Sequence, residues 1–89
     1  MMQPESIAAD AQAQRLMEGV LDEFEALLTG RRLVVFRARM RAIDPPLQRE
    51  LAAQLGVSVR TIKADEAEVR RRLSEFAAGR RAQLMEVLS

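Results

Sequence analysis

Apolar residues return every three or four positions through most of the chain, which is the spacing of one face of an α-helix. No segment shows the two-residue alternation of a half-buried strand. The length of 89 residues suits one hydrophobic core rather than two. The sequence therefore predicts one all-α domain of four or five helices. The apolar positions of the first helix are Ile7, Ala11, Met17, Val20, Leu21, Phe24, Leu27 and Leu28.

Three breaks divide this pattern, at Thr29–Gly30, Asp44–Pro46 and Gly56–Ser58. A residue before proline avoids the helical region, glycine accepts a positive φ, and threonine or serine can cap the next helix. The first predicted helix starts near Pro4, and the second covers about 30–42 with Thr29 as its cap. The third covers 47–55, and the fourth begins at 59 with Ser58 as its cap and runs towards 88. The predicted inward residues are Leu47, Leu51, Ala52 and Leu55 in the third helix, and Val59 or Ile62, Val69, Leu73 and Phe76 in the fourth.

Composition excludes several classes of function. The chain has no cysteine and no histidine, which removes thiol nucleophiles, disulfides, the usual general base and the commonest metal ligand. The longest apolar run, Leu33–Phe36, is far shorter than the about 20 residues of a membrane span. Glu5 and Asp10 occupy the region where a secretory leader would be basic and then apolar. We therefore expect a cytoplasmic protein that is not an enzyme, with no catalytic residue, metal, cofactor, small-molecule substrate or membrane partner.

Charge is distributed unevenly along the chain. Residues 1–30 carry one cation and six acids, whereas residues 31–89 carry 13 cations and seven acids. A basic segment can bind phosphate, and arginine suits bidentate contacts. The arginines concerned are Arg31, Arg32, Arg37, Arg39 and Arg41 around the second helix, and Arg70, Arg71 and Arg72 along the fourth. A solvated face is the alternative for the first group, and helical ion pairs from Glu66 to Arg70 and Glu68 to Arg72 also fit the second.

Leu51-Ala-x-x-Leu55-Gly-Val-Ser58-x-x-x-Ile62 has the spacing of a helix-turn-helix. Ala52 allows the two helices to cross closely, Gly56 permits the tight turn, and Ser58 supplies an acceptor for the first N–H groups of the next helix. The second helix can then enter a major groove. An ordinary helical hairpin is the alternative to a DNA-binding motif.

The wider sequence resembles region 4 of bacterial sigma-70-family factors, and the heat-shock sigma factors look closest. The resemblance covers roughly 27–73 and is carried by Leu28-Thr-Gly-Arg-Arg-Leu-Val-Val-Phe-Arg-Ala-Arg39, Asp44-Pro-Pro-Leu-Gln-Arg-Glu-Leu-Ala52 and Leu55-Gly-Val-Ser58. Glu66, Ala67 and Leu73 stand where the family's recognition helix has the same residues. The resemblance implies a region 4-like core over 30–73 with a helix-turn-helix over 47–73. Within the single domain of residues 1–89, the helical spacing adds an acidic first helix over 1–29 and a helical extension over 74–89.

By the same resemblance, the chain would bind the promoter −35 element and the β-flap of RNA polymerase, and could meet an anti-sigma protein. The DNA-binding residues would be Ser58, Val59, Arg60, Thr61, Lys63, Ala64, Arg70 and Arg71. The polymerase-binding residues would be Phe24, Leu27, Leu28, Leu33 and Phe36.

The chain also departs from the family. Ala64 cannot hydrogen-bond a base edge, and Asp65 stands where the family packs an apolar residue. Nothing resembles region 2, so we expect either a fragment of a sigma factor or a stand-alone sigma-like regulator. Two other functions are also compatible with the sequence. One is an interaction protein that binds polymerase or an anti-sigma partner without reading DNA. The other is a dimeric helix-turn-helix repressor, which needs a dimer seam to set half-site spacing.

Overall fold

The computed structural model describes the backbone of residues 4–88 and the side chains of residues 10–87. Its helices are α1 (Pro4–Glu25), α2 (Gly30–Phe36), α3 (Gln48–Leu55) and α4 (Val59–Leu88). A π-helical segment, Arg37–Arg41, continues α2. No strand occurs within residues 4–88, so the all-α prediction is confirmed for the described chain.

The helix breaks fall where the sequence predicts them. Thr29 is extended and Gly30 has a φ of 63°, which turns the chain between α1 and α2. Thr29 occupies the N-cap position of α2 as predicted, but its side chain makes no capping hydrogen bond. The break at Asp44–Pro46 lies in the connection between the π-helical segment and α3.

The first core cluster joins α1, α2 and α4. Its buried residues are Phe24, Leu28, Phe36 and Val69, packed against partly buried Leu21, Leu33, Met40, Leu73 and Phe76. The Phe24 ring meets Phe36 edge-on at 5.4 Å between centroids and lies 5.7 Å from Phe76. Aromatic pairs in such arrangements add to the free energy gained by burying their area. This cluster fixes α1 against the middle of α4.

The second core cluster lies under the helix-turn-helix. Its buried residues are Val35, Leu51, Ala52 and Ile62, packed against partly buried Ala38, Leu55, Val57 and Val59. Val35 and Phe36 are neighbours on α2, and each belongs to a different cluster. The short helix α2 therefore lies between both clusters and connects α1 to the helix-turn-helix.

Four predicted inward residues are exposed. Leu47 is 50% exposed. It lies just before α3 and has extended backbone, so the helical spacing that predicts inward residues does not apply to it. Leu27 follows the end of α1 and is 66% exposed for the same reason. Ala11 and Met17 lie on α1 but are also exposed, because only the distal part of α4 lies beside this end of α1 and no third helix of the described chain covers it. Ile7 lies outside the described side chains.

Candidate nucleic-acid interface

The turn between α3 and α4 closes at Gly56, whose backbone has a φ of 68° and a ψ of 33°. The Gly56 N–H donates to the Ala53 carbonyl oxygen at 3.3 Å, and the Val57 N–H donates to the Ala52 carbonyl oxygen at 3.0 Å. These two bonds form a Schellman motif, which satisfies carbonyl groups that a helix end leaves free. The predicted positive φ at Gly56 is confirmed.

Ser58 caps the start of α4. Its Oγ accepts a hydrogen bond from the Thr61 N–H at 3.1 Å and lies 2.9 Å from the Thr61 Oγ1. Val57, just before the cap, and Ile62, one turn into the helix, both belong to the second core cluster. Apolar residues at these two positions form a hydrophobic staple. The cap and the staple together set the direction in which α4 leaves the turn.

The first three turns of α4 have two opposite faces. Ile62, Asp65, Glu66 and Val69 are buried, and their spacing of three, one and three residues places them on one side of the helix. Residues on the other side are exposed. We call them the outward face, which consists of Arg60, Lys63, Ala64, Ala67 and Arg71.

Asp65 is buried, and an arginine from α2 compensates its charge. The Arg31 Nε donates to Asp65 Oδ2 at 2.5 Å, and the Arg31 Nη2 donates to Oδ1 at 3.4 Å. The hydrogen bond and the negative charge of Asp65 raise the pKa of Arg31. The buried charge of Asp65 is therefore matched by Arg31 within the same chain.

Glu66 is the centre of a larger network that joins four segments. The Arg39 Nε donates to Glu66 Oε1, and the Gln48 Nε2 donates to Glu66 Oε2 at 3.3 Å. The Arg39 Nη1 also donates to the Pro46 carbonyl oxygen at 2.7 Å, and the Arg70 Nη2 lies 3.6 Å from Glu66 Oε2. We call these five residues the Glu66 network. It ties α4 to the π-helical segment, to the start of α3 and to the connection between them.

Two further arginines of the group around the second helix pair with acids of α1. The Arg41 Nη2 donates to Asp22 Oδ1 at 2.8 Å, and the Arg37 Nε lies 3.4 Å from Glu25 Oε2. Four of the five arginines predicted as phosphate ligands around the second helix are thus engaged in ion pairs within the protein. Arg32 is half-buried and has no ion pair among the described residues.

Arginines 70 to 72 are all paired with acids on their own helix. Arg71 bridges Glu68, at 2.6 Å, and Glu75, at 2.7 Å, and Arg72 lies 2.9 Å from Glu68. The predicted helical pairs Glu66–Arg70 and Glu68–Arg72 are confirmed. Hydrogen bonds from Arg71 and Arg72 lower the pKa of Glu68 to about 2, and Glu68 in turn raises the pKa of Arg71.

The lowered pKa of Glu68 can be tested by titration. Because this pKa is lower in the folded chain than in the unfolded chain, the ion pairs of Glu68 stabilise the fold above its unfolded pKa. That contribution is lost as the pH falls towards about 2. In an NMR titration of the side-chain carboxyl carbon, Arg71→Gln should move the midpoint of Glu68 upwards. Arg70→Gln, whose partner is Glu66, should leave it in place; an ordinary midpoint in the wild-type protein would contradict the ion pairs.

The predicted DNA-binding residues lie in different settings. Arg60 and Lys63 are exposed and have no ion pair or hydrogen-bond partner among the described side chains, and Ala64 is exposed beside them. Ser58 is engaged in the cap, and Val59 and Thr61 are half-buried. Arg70 and Arg71 are exposed but paired. Arg60 and Lys63 are thus the two predicted DNA-binding cations free to meet a ligand.

The predicted polymerase-binding residues are largely in the core. Phe24, Leu28 and Phe36 are buried in the first cluster, and Leu33 packs against it. Leu27 is exposed. In this conformation, a partner docking on this side of the molecule would therefore meet Leu27 rather than the aromatic residues.

Sequence reasoning missed Gln48 and the roles of Asp65 and Glu66 as buried partners of arginines. A signal for the two acids was present, because they occupy inward positions between Ile62 and Val69. A buried carboxylate requires a cation, and residues 31–41 hold five arginines. No comparable sequence signal marks Gln48.

No family model matches the chain, and no curated protein and no solved structure matches it. Within the described part of the chain, neither of the two long helices, α1 and α4, is apolar enough to cross a membrane, and the shorter helices are not either.

Proposed function

We propose that the chain binds DNA through the helix-turn-helix of α3, the Gly56 turn and α4, and that it acts in transcription initiation as a sigma region 4-like protein. The first turns of α4 would enter the major groove of a promoter −35-like element. The sequence resemblance supplies the transcriptional context, and the outward face of α4 supplies the chemistry.

The observation that carries this proposal is the composition of the outward face. Arg60 and Lys63 are exposed and free of ion pairs among the described residues, whereas Ala64 and Ala67 are small. Small side chains let the helix axis approach the groove floor, and a major groove about 12 Å wide admits one helix. Residues in the first turns of a recognition helix are the ones that reach base edges.

The distribution of charge across α4 also supports the proposal. Asp65 and Glu66, which lie between the cations in the sequence, are on the opposite face and are matched by Arg31 and Arg39. Glu68 is matched by Arg71 and Arg72. The positive charge of Arg60 and Lys63 is therefore not opposed by an adjacent unpaired carboxylate on the outward face.

The test is a titration of labelled duplexes at several salt concentrations. Arg60→Ala should cost about 1–3 kcal/mol of binding free energy and relax the preference at one base pair, because a bidentate arginine contact is lost. Lys63→Ala should weaken binding to all sequences alike and lower the salt slope by about one, because one phosphate contact is lost. Arg15→Ala serves as the control, because it removes the same charge from an exposed side chain on α1, outside the helix-turn-helix.

A second function rests on the ion pairs. Arg31, Arg39 and Arg71 are neutralised within the chain, so most of the basic half offers no free charge to phosphate. This favours a sigma-like interaction protein that binds RNA polymerase, at the β-flap by resemblance, or an anti-sigma partner. No duplex binding at low salt, together with capture of purified RNA polymerase, would replace the first function with this one. Exposed Leu27 is the side chain whose change to Glu should weaken that capture.

A further inference from the structure

α1 and α4 run antiparallel and form an arm beyond the first core cluster. Near the core, Phe24 lies against Phe76, and farther out a cleft lies between the two helices, lined by Met17 and Val20 on one side and Ala77 and Leu84 on the other. We define the arm as residues 10–20 and 77–87. It consists of two helices, and no third helix of the described chain covers it.

The arm leaves large apolar side chains uncovered. All side chains over residues 10–19 and 78–87 are exposed, and they include Leu16, Met17, Leu84, Met85 and Val87. Leu16, Met17 and Leu84 lie together along the cleft, and contiguous apolar surface of this kind marks an interaction site in a folded protein. Two charged residues, Arg80 and Arg81, also line the cleft on its α4 side.

The chain exposes more surface than a compact monomer of its mass. The chain exposes 6866 Å². A folded monomer of 10.0 kDa is expected to expose about 5,200 Å², so the excess is about 1,600 Å². The radius of gyration of 16.2 Å likewise exceeds the about 12 Å expected for this length. A stable dimer of standard size buries about 800 Å² on each partner, which is within this excess.

We propose that the arm is a dimerisation surface and that a second copy of this chain covers it. In a two-fold arrangement the arm of each copy covers the arm of the other, giving a four-helix bundle. The inference goes beyond DNA binding and does not depend on it.

Charge complementarity favours α1 of one copy against α4 of the other. Over residues 10–25, α1 carries five acids and one cation, so two α1 helices side by side would repel. The cations at the cleft belong to α4. Arg80 already forms an ion pair with Glu23, and its Cζ lies 5.6 Å from the centre of the Phe76 ring. Arg81 has no ion pair among the described residues and is available to the acidic helix of a second copy.

The experiment is sedimentation equilibrium of the full chain over a concentration series. The wild-type protein should show twice the monomer mass of 10.0 kDa at the higher concentrations. Leu16→Glu and Leu84→Glu should each raise the dimer dissociation constant by roughly 10- to 100-fold or more, because each change removes apolar burial from both copies. Ile43→Glu changes a fully exposed residue outside the arm and should leave the constant unchanged.

Circular dichroism of each variant separates loss of the dimer from loss of the fold, and both arm variants should keep the wild-type helical signal. A wild-type protein that remains monomeric at all concentrations would overturn the proposal and leave the cleft to a different partner. An equal effect of Ile43→Glu would also overturn it. Duplex titration of a monomeric Leu84→Glu variant tests DNA binding separately, so failure of one proposal is distinguishable from failure of the other.

Discussion

Replacing Arg39 with methionine is expected to lower the free energy of unfolding by about 3–5 kcal/mol, because it leaves the buried carboxylate of Glu66 without its main cation. The Glu66 side chain is 9% exposed and that of Arg39 is 21% exposed, so water replaces little of the lost interaction. Gln48 at 3.3 Å and Arg70 at 3.6 Å would remain as partners of Glu66. The Pro46 carbonyl would also lose its donor. Urea denaturation at neutral pH, followed by circular dichroism, measures the change.

Two controls make this prediction specific. Arg37→Met removes an arginine whose Nε lies 3.4 Å from Glu25 Oε2 and whose side chain is 62% exposed, so solvent screens the pair and the expected loss is about 1 kcal/mol or less. The double change Arg39→Met with Glu66→Met should recover most of the lost stability, because no charge is then left buried. A loss as small for Arg39→Met as for Arg37→Met would show that the Glu66 network does not hold the segments together.

The sequence predicted those parts of the fold that depend on local chemistry. The positive φ of Gly56 and the cap of Ser58 act within a few residues, so their signals can be read directly from the chain. Helical spacing likewise placed Ile62 and Val69 in the core. It misplaced Leu27 and Leu47, because both lie just outside a helix, where the spacing no longer fixes the direction of a side chain.

The candidate site was predicted less completely, because the charge of its surface depends on contacts between distant residues. Arg31 meets Asp65 across 34 positions, and Arg39 meets Glu66 across 27. The basic count of the second half of the chain therefore overstates the positive surface that a ligand can meet. The motif alone identifies Arg60 and Lys63 as candidate DNA-binding residues. That they form no ion pair among the described residues is known only from the structure, because it depends on which acids the other arginines bind.

Ile62→Ala is expected to cost about 2–5 kcal/mol, because it deletes a fully buried side chain from the centre of the second core cluster. For a chain this small that is a large part of the total stability. Ile62 also forms the staple with Val57, so the first turn of α4 should loosen and duplex binding should fall together with stability. Leu47→Ala is the matched control: this residue is exposed, and its change should shift stability by about 0.5 kcal/mol or less. Denaturant titration of both variants measures the difference, and equal losses would mean that α3 and α4 do not pack around Ile62.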